Sequence, residues 1–332
     1  MPGWGDILNE IQAMSATRGD ACDVVRKQYL VKLHQKTNRA VISYSSSWVQ
    51  PSQGVDPFVL SLNIADVQGL MEVMKGVNED AVDLIIHSPG GALDATEPFV
   101  TYIRSKFKHV RAIIPHAAMS AATMISCAAD EIVMGKHSFL GPIDPQLGIQ
   151  TAVGPRMVAA QAILEQFKLA QDEIAQDQAK LASWMTMLNQ YGPDLLISCK
   201  NASELSKELV QSWLEKYMFR DDQPTAQRIA SWLSTHSNFK THSRYLSRDV
   251  LEGQGLKISK LEDDQELQDL VLSIHHATTI TFSATPAAKI IENHMGRAFI
   301  NQANMAQMHM MNMPAMVLQG HMPQPLPIPG PQ

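Results

Sequence analysis

Two strand–turn–helix units follow one another directly between residues 83 and 129, and they constrain the fold more than any other feature. The first is an apolar run, 84–86, that ends at a Ser-Pro-Gly-Gly turn, 88–91. The second is the apolar run 110–115, followed by a turn of small residues, 116–122, and an apolar helix. Short apolar runs bounded by such turns are typical of buried parallel strands. Both turns are therefore expected at the carboxyl ends of neighbouring strands, where open α/β sheets bind ligands.

Ser120 is a polar residue in a turn that consists otherwise mostly of small and apolar residues. It stands at the predicted start of a helix, where backbone N–H groups and the positive end of the helix dipole converge, so we predict that it is a nucleophile. Attack on a carbonyl requires donors directed at the oxyanion, and the Gly90-Gly91 turn leaves such N–H groups unshielded. Taken singly, a glycine turn and an N-cap serine are more often structural. The pair of turns on consecutive strands favours a site.

Residues of this segment resemble a known protein family. The 88–91 turn, the turn around Ser120 and their spacing resemble the Clp-protease/crotonase fold. The run 119–121 (Met-Ser-Ala), the segment 134–137 (Met-Gly-Lys-His) and the segment 141–146 (Gly-Pro-Ile-Asp-Pro-Gln) are more similar to the serine dehydrogenase proteinase family, which is related to signal-peptide peptidase A. This resemblance implies an α/β fold with a Clp-protease/crotonase-like repeated β-β-α core and extra helices.

The same resemblance implies a lysine as the catalytic base. In the signal-peptide peptidase relatives, a lysine on a downstream helix activates the serine, and Lys168 lies on a predicted helix downstream of Ser120. A solvated lysine on an exposed helical face is an equally good interpretation of Lys168. The catalytic role requires a dry pocket, since a lysine that is exposed to water stays charged near pH 7. Asp144 lies in a turn bracketed by Pro142 and Pro145, about where the Clp-type histidine would fall. We expect it to orient the base rather than to act as one.

These residues predict a serine peptidase that acts on a peptide or protein substrate. No cofactor and no metal site is expected, and no GxGxxG motif follows a strand to support dehydrogenase chemistry. The predicted site comprises the catalytic residues Ser120, Lys168 and Asp144, the oxyanion-hole residues Gly91 and Ala121, and the substrate-binding residues Gly90 and His116.

Two other functions remain open at this point. One is a catalytically silent scaffold or adaptor that retains the Clp-like fold. The other is an acyl-CoA enzyme of the crotonase kind, and a serine at position 120 counts against it. If Lys168 is not the base of a hydrolase, Asp144 or His116 would be the next candidates.

The composition argues against several classes of protein. A net charge of −6 and a pI near 6.0, with no run of Lys and Arg, argue against binding to nucleic acid or to an anionic membrane surface. The three cysteines show no CxxC pair, and so sparse a count suits a reducing compartment. No secretory signal and no apolar run of about 18 residues is present. The chain is therefore expected to be cytoplasmic, with no membrane and no nucleic-acid partner.

Most of the chain is expected to form one domain. Residues 1–300 are predicted to be a single Clp-like serine proteinase domain with helical additions over roughly 155–235, including a long helical stretch over 156–188. The surplus of amphipathic helices, together with the resemblance to Clp-like proteins, predicts a homo-oligomer. Beyond that domain the sequence loses its charge and becomes rich in Met, Gln and Pro, which predicts a disordered tail over 301–332.

Overall fold

A computed structural model describes residues 2–51, 55–151 and 154–303. They form an α/β structure around a seven-stranded sheet, with a three-stranded and a two-stranded sheet beside it. The helices are α1 (Trp4–Ser15), α2 (Ala21–Thr37), α3 (Pro57–Leu60), α4 (Asp66–Met74), α5 (Leu93–Lys106), α6 (Ala121–Cys127), α7 (Ala160–Gln176), α8 (Leu181–Leu188), α9 (Leu195–Lys216), α10 (Gln223–Ser234), α11 (His236–Phe239), α12 (Arg248–Gly253) and α13 (Gln265–Ala284). The strands are β1 (Ala40–Ser46), β2 (Ala81–His87), β3 (His109–Ile114), β4 (Ala117–Ala118), β5 (Glu131–Met134), β6 (Phe139–Leu140), β7 (Gln146–Thr151), β8 (Gly154–Ala159), β9 (Leu246–Ser247), β10 (Ile258–Lys260), β11 (Ala287–Asn293) and β12 (Ala298–Gln302).

The large sheet has the order β10-β5-β3-β2-β1-β11-β12. Its first five strands are parallel, and β11 and β12 extend it in antiparallel fashion beside β1. Leu84 on β2 lies opposite Ile42 on β1 and Ala112 on β3. The prediction of two consecutive parallel strands is confirmed, and their carboxyl ends lie side by side.

Both faces of the parallel strands are covered by helices. Ile42 and Leu84 face a core shared with α5, α6, α9 and α10. Val41 and Ile85, each one residue away along the same strands, face a second core built on α2 and α13. Successive side chains of a strand point to opposite faces, so a strand covered on both sides needs apolar residues almost throughout. This is why β2 and β3 read as continuous apolar runs.

A buried ion pair fixes the loop that leads into the site. Lys289 on β11 is fully buried, and its Nζ lies 2.8 Å from Asp66 Oδ2 and 2.7 Å from the carbonyl oxygen of Ser61. Asp66 also accepts hydrogen bonds from the Tyr44 hydroxyl at 2.8 Å and from the Asn63 amide at 3.0 Å. Burial lowers the pKa of Lys289, against the opposing effect of Asp66. The pair therefore links β11, α4 and β1 to the segment 61–63.

Two parts of the structure differ from the sequence prediction. The strands β7 and β8 pair as an antiparallel hairpin, so the helical stretch expected from residue 156 begins only at α7 and is interrupted before α8. The hairpin β11–β12, which was not predicted, occupies one edge of the large sheet. Residues 301 and 302, which were expected in the tail, belong to β12, and residues 304–332 of the predicted tail lie outside the described residues.

Two observations bear on the expected compartment, which itself stays a prediction. Within the described ranges, no helix combines the length and apolar character needed to cross a bilayer. All three cysteines are free thiols, and burial raises the pKa of the Cys127 thiol to about 12. A buried thiol with so high a pKa is an unreactive core residue.

Replacing Lys289 with alanine is expected to lower the free energy of unfolding by about 3–5 kcal/mol, because it leaves the Asp66 carboxylate buried and unpaired. Chemical denaturation measures this change. Lys108→Ala is the matched control, since the Lys108–Asp80 pair is exposed and should contribute about 0–1 kcal/mol. Equal losses in the two variants would contradict the structural role of the buried pair.

Candidate active site

The two turns predicted from the sequence meet at the carboxyl edge of β2 and β3. Gly90 has a φ of +89°, and a Cβ at this position would lie 2.4 Å from the carbonyl oxygen of Met119 and 2.7 Å from the amide nitrogen of Ala121. The Met119 amide donates to the carbonyl of Ser88 at 2.9 Å, which joins the turns directly. Only glycine fits both the backbone conformation and the space at position 90.

Ser120 adopts an unusual backbone conformation at the tip of the second turn. Its φ of 51° and ψ of −119° are rare for a residue with a side chain, and its hydroxyl does not cap α6. The half-buried residue lines a half-open cavity of about 580 Å³. Strained backbone of this kind is concentrated at functional sites. The hydroxyl is thus presented to a cavity instead of serving the helix, unlike an ordinary N-cap serine.

Two residues that line the same cavity have backbone amides without an acceptor among the described residues. Among the described residues, neither Gly91 N–H nor Ala121 N–H donates a hydrogen bond. The neighbouring groups are engaged, because Leu62 N–H donates to the carbonyl of Gly90 at 2.7 Å and Ala92 N–H donates to the carbonyl of Leu62 at 2.9 Å. Gly91 and Ala121 both line the cavity of Ser120. The predicted oxyanion donors are therefore free and close to the predicted nucleophile in the fold.

Asp144 holds two histidines that the sequence analysis did not identify. The Asp144 side chain is 1% exposed; its Oδ1 lies 2.9 Å from His242 Nδ1, and its Oδ2 lies 2.7 Å from His236 Nδ1. Gln146 Nε2 donates to Oδ2 at 3.3 Å. His242 lines the cavity together with Ser120. An imidazole that is oriented by a buried carboxylate and lines the same cavity as a serine is a candidate general base.

Lys168 does not lie in this cavity. Its side chain is 75% exposed on α7, and its Nζ lies 3.4 Å from Asp172 Oδ2, one helical turn away. The buried face of α7 instead carries Ala160, Ile163 and Ala170. Lys168 is therefore solvated at this position of the described chain, and its role as the catalytic base stays a prediction.

His116 likewise lies away from Ser120, although it was predicted to contact substrate. The chain bends at Pro115 and His116 between β3 and β4. This places the His116 ring 5.4 Å from the ring of His87 and 5.9 Å from that of His275, between ring centroids, in a second cavity. Gly90, the other predicted substrate contact, does line the cavity of Ser120.

Comparison with known protein families identifies the chain. Residues 14–183, about half of the chain, match the model of the ClpP-like SDH-type serine proteinases. The chain belongs to this family. The matched range contains both turns and Asp144, whereas His236 and His242 lie beyond it. The Clp-like fold predicted from the sequence is confirmed.

Individual relatives match shorter parts of the chain than the family model does. The chain is 35% identical over 128 residues to uncharacterized protein MJ0137 of Methanocaldococcus jannaschii, covering 38% of this chain and 44% of that protein. It is 39% identical over 93 residues to uncharacterized protein MJ1495 of the same organism, covering 28% and 32%. The chain thus spans less than half the length of the curated relatives that it matches.

Solved structures of 1510-N membrane-bound stomatin-specific protease are also similar to this family member. A serine-to-alanine mutant has a TM-score of 0.40 and 14% identity, and the match covers 63% of this chain and 79% of that one. A lysine-to-alanine mutant in complex with a substrate peptide has a TM-score of 0.27 and 17% identity, covering 64% and 93%.

Gly90→Ala is expected to destabilise the protein by more than about 1 kcal/mol, because the added Cβ meets backbone atoms on two sides and the positive φ disfavours alanine. Chemical denaturation tests this expectation. In the control Gly19→Ala, an added Cβ meets nothing within 4 Å, so no loss of stability is expected. A Gly90 variant as stable as the control would show that the turns do not pack as closely as described.

Proposed function

We propose that this family member is a serine peptidase in which Ser120 is the nucleophile and His242, oriented by Asp144, is the base. The observation that carries the proposal is that His242 lines the same cavity as Ser120 while its Nδ1 lies 2.9 Å from the buried Asp144 carboxylate. The free amides of Gly91 and Ala121 border that cavity as well. Nucleophile, base and oxyanion donors are the parts that acyl transfer requires.

The proposed reaction follows from these positions. Ser120 Oγ attacks the scissile carbonyl carbon while His242 Nε2 takes the hydroxyl proton, and the Gly91 and Ala121 amides donate to the resulting oxyanion. When the C–N bond breaks, His242 returns the proton to the leaving amine. Water then attacks the acyl-serine ester with His242 again as base, which releases the acid and restores the hydroxyl. Asp144 keeps the proton on His242 Nδ1, so that Nε2 remains the accepting nitrogen throughout.

The proposed base is a histidine, whereas the family resemblance implied a lysine. Asp144 stands about where a Clp-type histidine was expected, and the imidazole comes from the segment 236–242 instead. Lys168 is the second candidate for the base. It would have to leave solvent and its pairing with Asp172 before it could lose its proton beside Ser120.

The cavity suits a peptide or protein substrate, which we retain as the proposed substrate class. It is open on one side, so it could admit a segment of a longer chain. Leu93, Met124 and Ile143 give part of its wall an apolar character. An extended peptide could place an apolar side chain against this wall while its carbonyl oxygen reaches the two amides.

We also propose that the protein is a cytoplasmic homo-oligomer. Support for assembly comes from large apolar side chains that remain exposed on the hairpin β7–β8 and the added helices, including Met157 at 67%, Leu169 at 51% and Ile197 at 62%. Exposed apolar residues on one region are a feature of interaction surfaces. The low cysteine count and the acidic composition support the proposed compartment.

Ser120→Ala is expected to abolish labelling by a fluorophosphonate probe and cleavage of a peptide substrate, because it removes the attacking oxygen. Its stability should change by no more than about 1 kcal/mol, since the hydroxyl makes no capping bond. Ser105→Ala, at an exposed serine, is the control and should label like the wild type. Labelling that persists in Ser120→Ala rejects this nucleophile, and an unreactive wild type favours a catalytically silent scaffold.

His242→Ala is expected to slow acylation about 10²–10⁴-fold, because it removes the proton acceptor, whereas Lys168→Ala should leave the rate unchanged. Asp144→Asn should also be slow, since an amide no longer fixes the tautomer of His242. Single-turnover labelling kinetics of the three variants measure these rates. Loss of activity in Lys168→Ala together with retention in His242→Ala would assign the base to Lys168.

A further inference from the structure

A second cavity lies at the same edge of the large sheet, on the face covered by α13. It has a volume of about 230 Å³ and shares no lining residue with the cavity of Ser120. Four histidines line it: His87, His116, His275 and His276. His87 ends β2 immediately before the Ser-Pro-Gly-Gly turn, and His275 lies on α13. The proposed peptidase mechanism does not use these imidazoles.

Three of the rings are spaced like the ligands of one metal ion. The ring centroids are 4.9 Å apart for His87 and His275, 5.4 Å for His87 and His116, and 5.9 Å for His116 and His275. Imidazoles that bind one tetrahedral ion through nitrogens at about 2.0–2.1 Å have centroids about 5 Å apart. The backbone therefore brings these three side chains to the separation that a shared ion requires.

The cavity wall also contains buried polar atoms without a partner. His87 is 2% exposed, and its Nδ1 makes no hydrogen bond within the described chain. The hydroxyls of Ser46 and Ser47, which also line the cavity, are buried and have no partner within the described chain. The Trp48 ring lies 5.6 Å from that of His87, and its indole nitrogen is likewise buried without a described partner, although Trp48 is not among the lining residues. A buried polar atom without a hydrogen-bond partner destabilises a protein. The concentration of such atoms around one cavity points to a ligand.

The donor atoms around the cavity select the kind of ligand. None of the described residues that line it is acidic, so imidazole nitrogens and hydroxyl oxygens are the side-chain donors that it offers. Imidazole nitrogens are ligands for zinc, copper and nickel, whereas magnesium and calcium prefer oxygen ligands.

We propose that His87, His116 and His275 bind one divalent transition-metal ion of the zinc class. The Ser46 and Ser47 hydroxyls, which line the same cavity, then hydrogen-bond to the water or anion that completes its coordination. The sequence analysis expected no metal site. Adjacent histidines on one helix point in different directions, and the proposed site uses only His275 of the pair His275-His276.

Binding closes the site by rotation of the rings. In the structure, the nitrogens of these three histidines do not all lie within 4.8 Å of one another. His116 is half-buried and lies at the bend between β3 and β4, so its ring is less tightly enclosed than that of His87. Ring rotation about the Cβ–Cγ bond changes the nitrogen positions and leaves the backbone in place.

Another histidine group supplies a matched comparison. Ligand atoms of His34, Glu79 and His294 do lie within 4.8 Å of one another. However, the Val41 amide donates to His294 Nδ1 at 3.1 Å, which places the ring proton on Nε2, the nitrogen 3.6 Å from Glu79 Oε1. That nitrogen has no lone pair for a metal, because it already serves as a donor to the carboxylate. This group is consequently expected to remain metal-free.

Isothermal titration of the metal-free, full-length protein with Zn²⁺ tests the proposal. We expect the wild-type protein to bind one equivalent of Zn²⁺ tightly. His116→Ala and His275→Ala should each weaken binding at least about 100-fold, since loss of outer-shell partners alone costs 10–100-fold. His34→Ala should bind like the wild type, as should Ser120→Ala and the double variant His309→Ala/His321→Ala, which removes the histidines of the tail. Circular dichroism verifies that each variant is folded.

Three results would overturn the proposal. One is that the wild-type protein does not bind an equivalent of Zn²⁺ tightly. Another is that His116→Ala and His275→Ala are both folded and still bind Zn²⁺ tightly. A third is that tight binding is lost in His34→Ala or in the tail variant. If neither cluster variant folds, the absorption spectrum of Co²⁺ bound to the wild type decides instead. Tetrahedral ligation by nitrogen supports the site, and an octahedral spectrum typical of oxygen ligands rejects it.

Discussion

The edge of the large sheet that carries the candidate active site depends on the absence of a side chain at position 90. The backbone of Met119 and Ala121 occupies the space that a Cβ would need, and this contact joins the turn after β2 to the turn after β3. Because the two strands are parallel neighbours in register, their ends arrive at one edge, and a single glycine then allows the turns to touch. The close contact brings Gly91 and Ala121, whose amides have no acceptor in the described part of the chain, to the cavity lined by the strained Ser120.

Buried charge holds the surroundings of this contact in place. Lys289 and Asp66 fix the segment that precedes Leu62, whose amide and carbonyl hydrogen-bond to both sides of Gly91. On the opposite side of the cavity, Asp144 is buried and receives contacts from two imidazoles and an amide. A buried carboxylate without such partners would be strongly unfavourable. The same contacts that stabilise the carboxylate orient His242, so stability and the proposed chemistry rest on one set of interactions.

Strand alternation explains how one sheet edge supports two cavities. His87 points toward α13, and the turn that begins with the next residue leads to the cavity of Ser120 on the other face. His116 is placed similarly, a few residues before Ser120 in the same connection. A metal ion held by His87 and His116 would therefore restrain both strand ends that carry the peptidase site. The two proposals remain independent, since they use different residues and are tested by different measurements.

Local sequence determined the elements that depend on neighbouring residues. Apolar runs fixed β2 and β3, and the glycine turn and Ser120 located the edge at which a site forms, because strand burial and turn conformation are decided within a few residues. Tertiary structure decided what distant segments contribute. His236 and His242 reach Asp144 across 92 and 98 residues. Lys168 faces solvent because the other face of α7 packs inward, and the helical pattern before α7 did not reveal the hairpin β7–β8. Contacts of this kind depend on how whole elements pack, which no local pattern specifies.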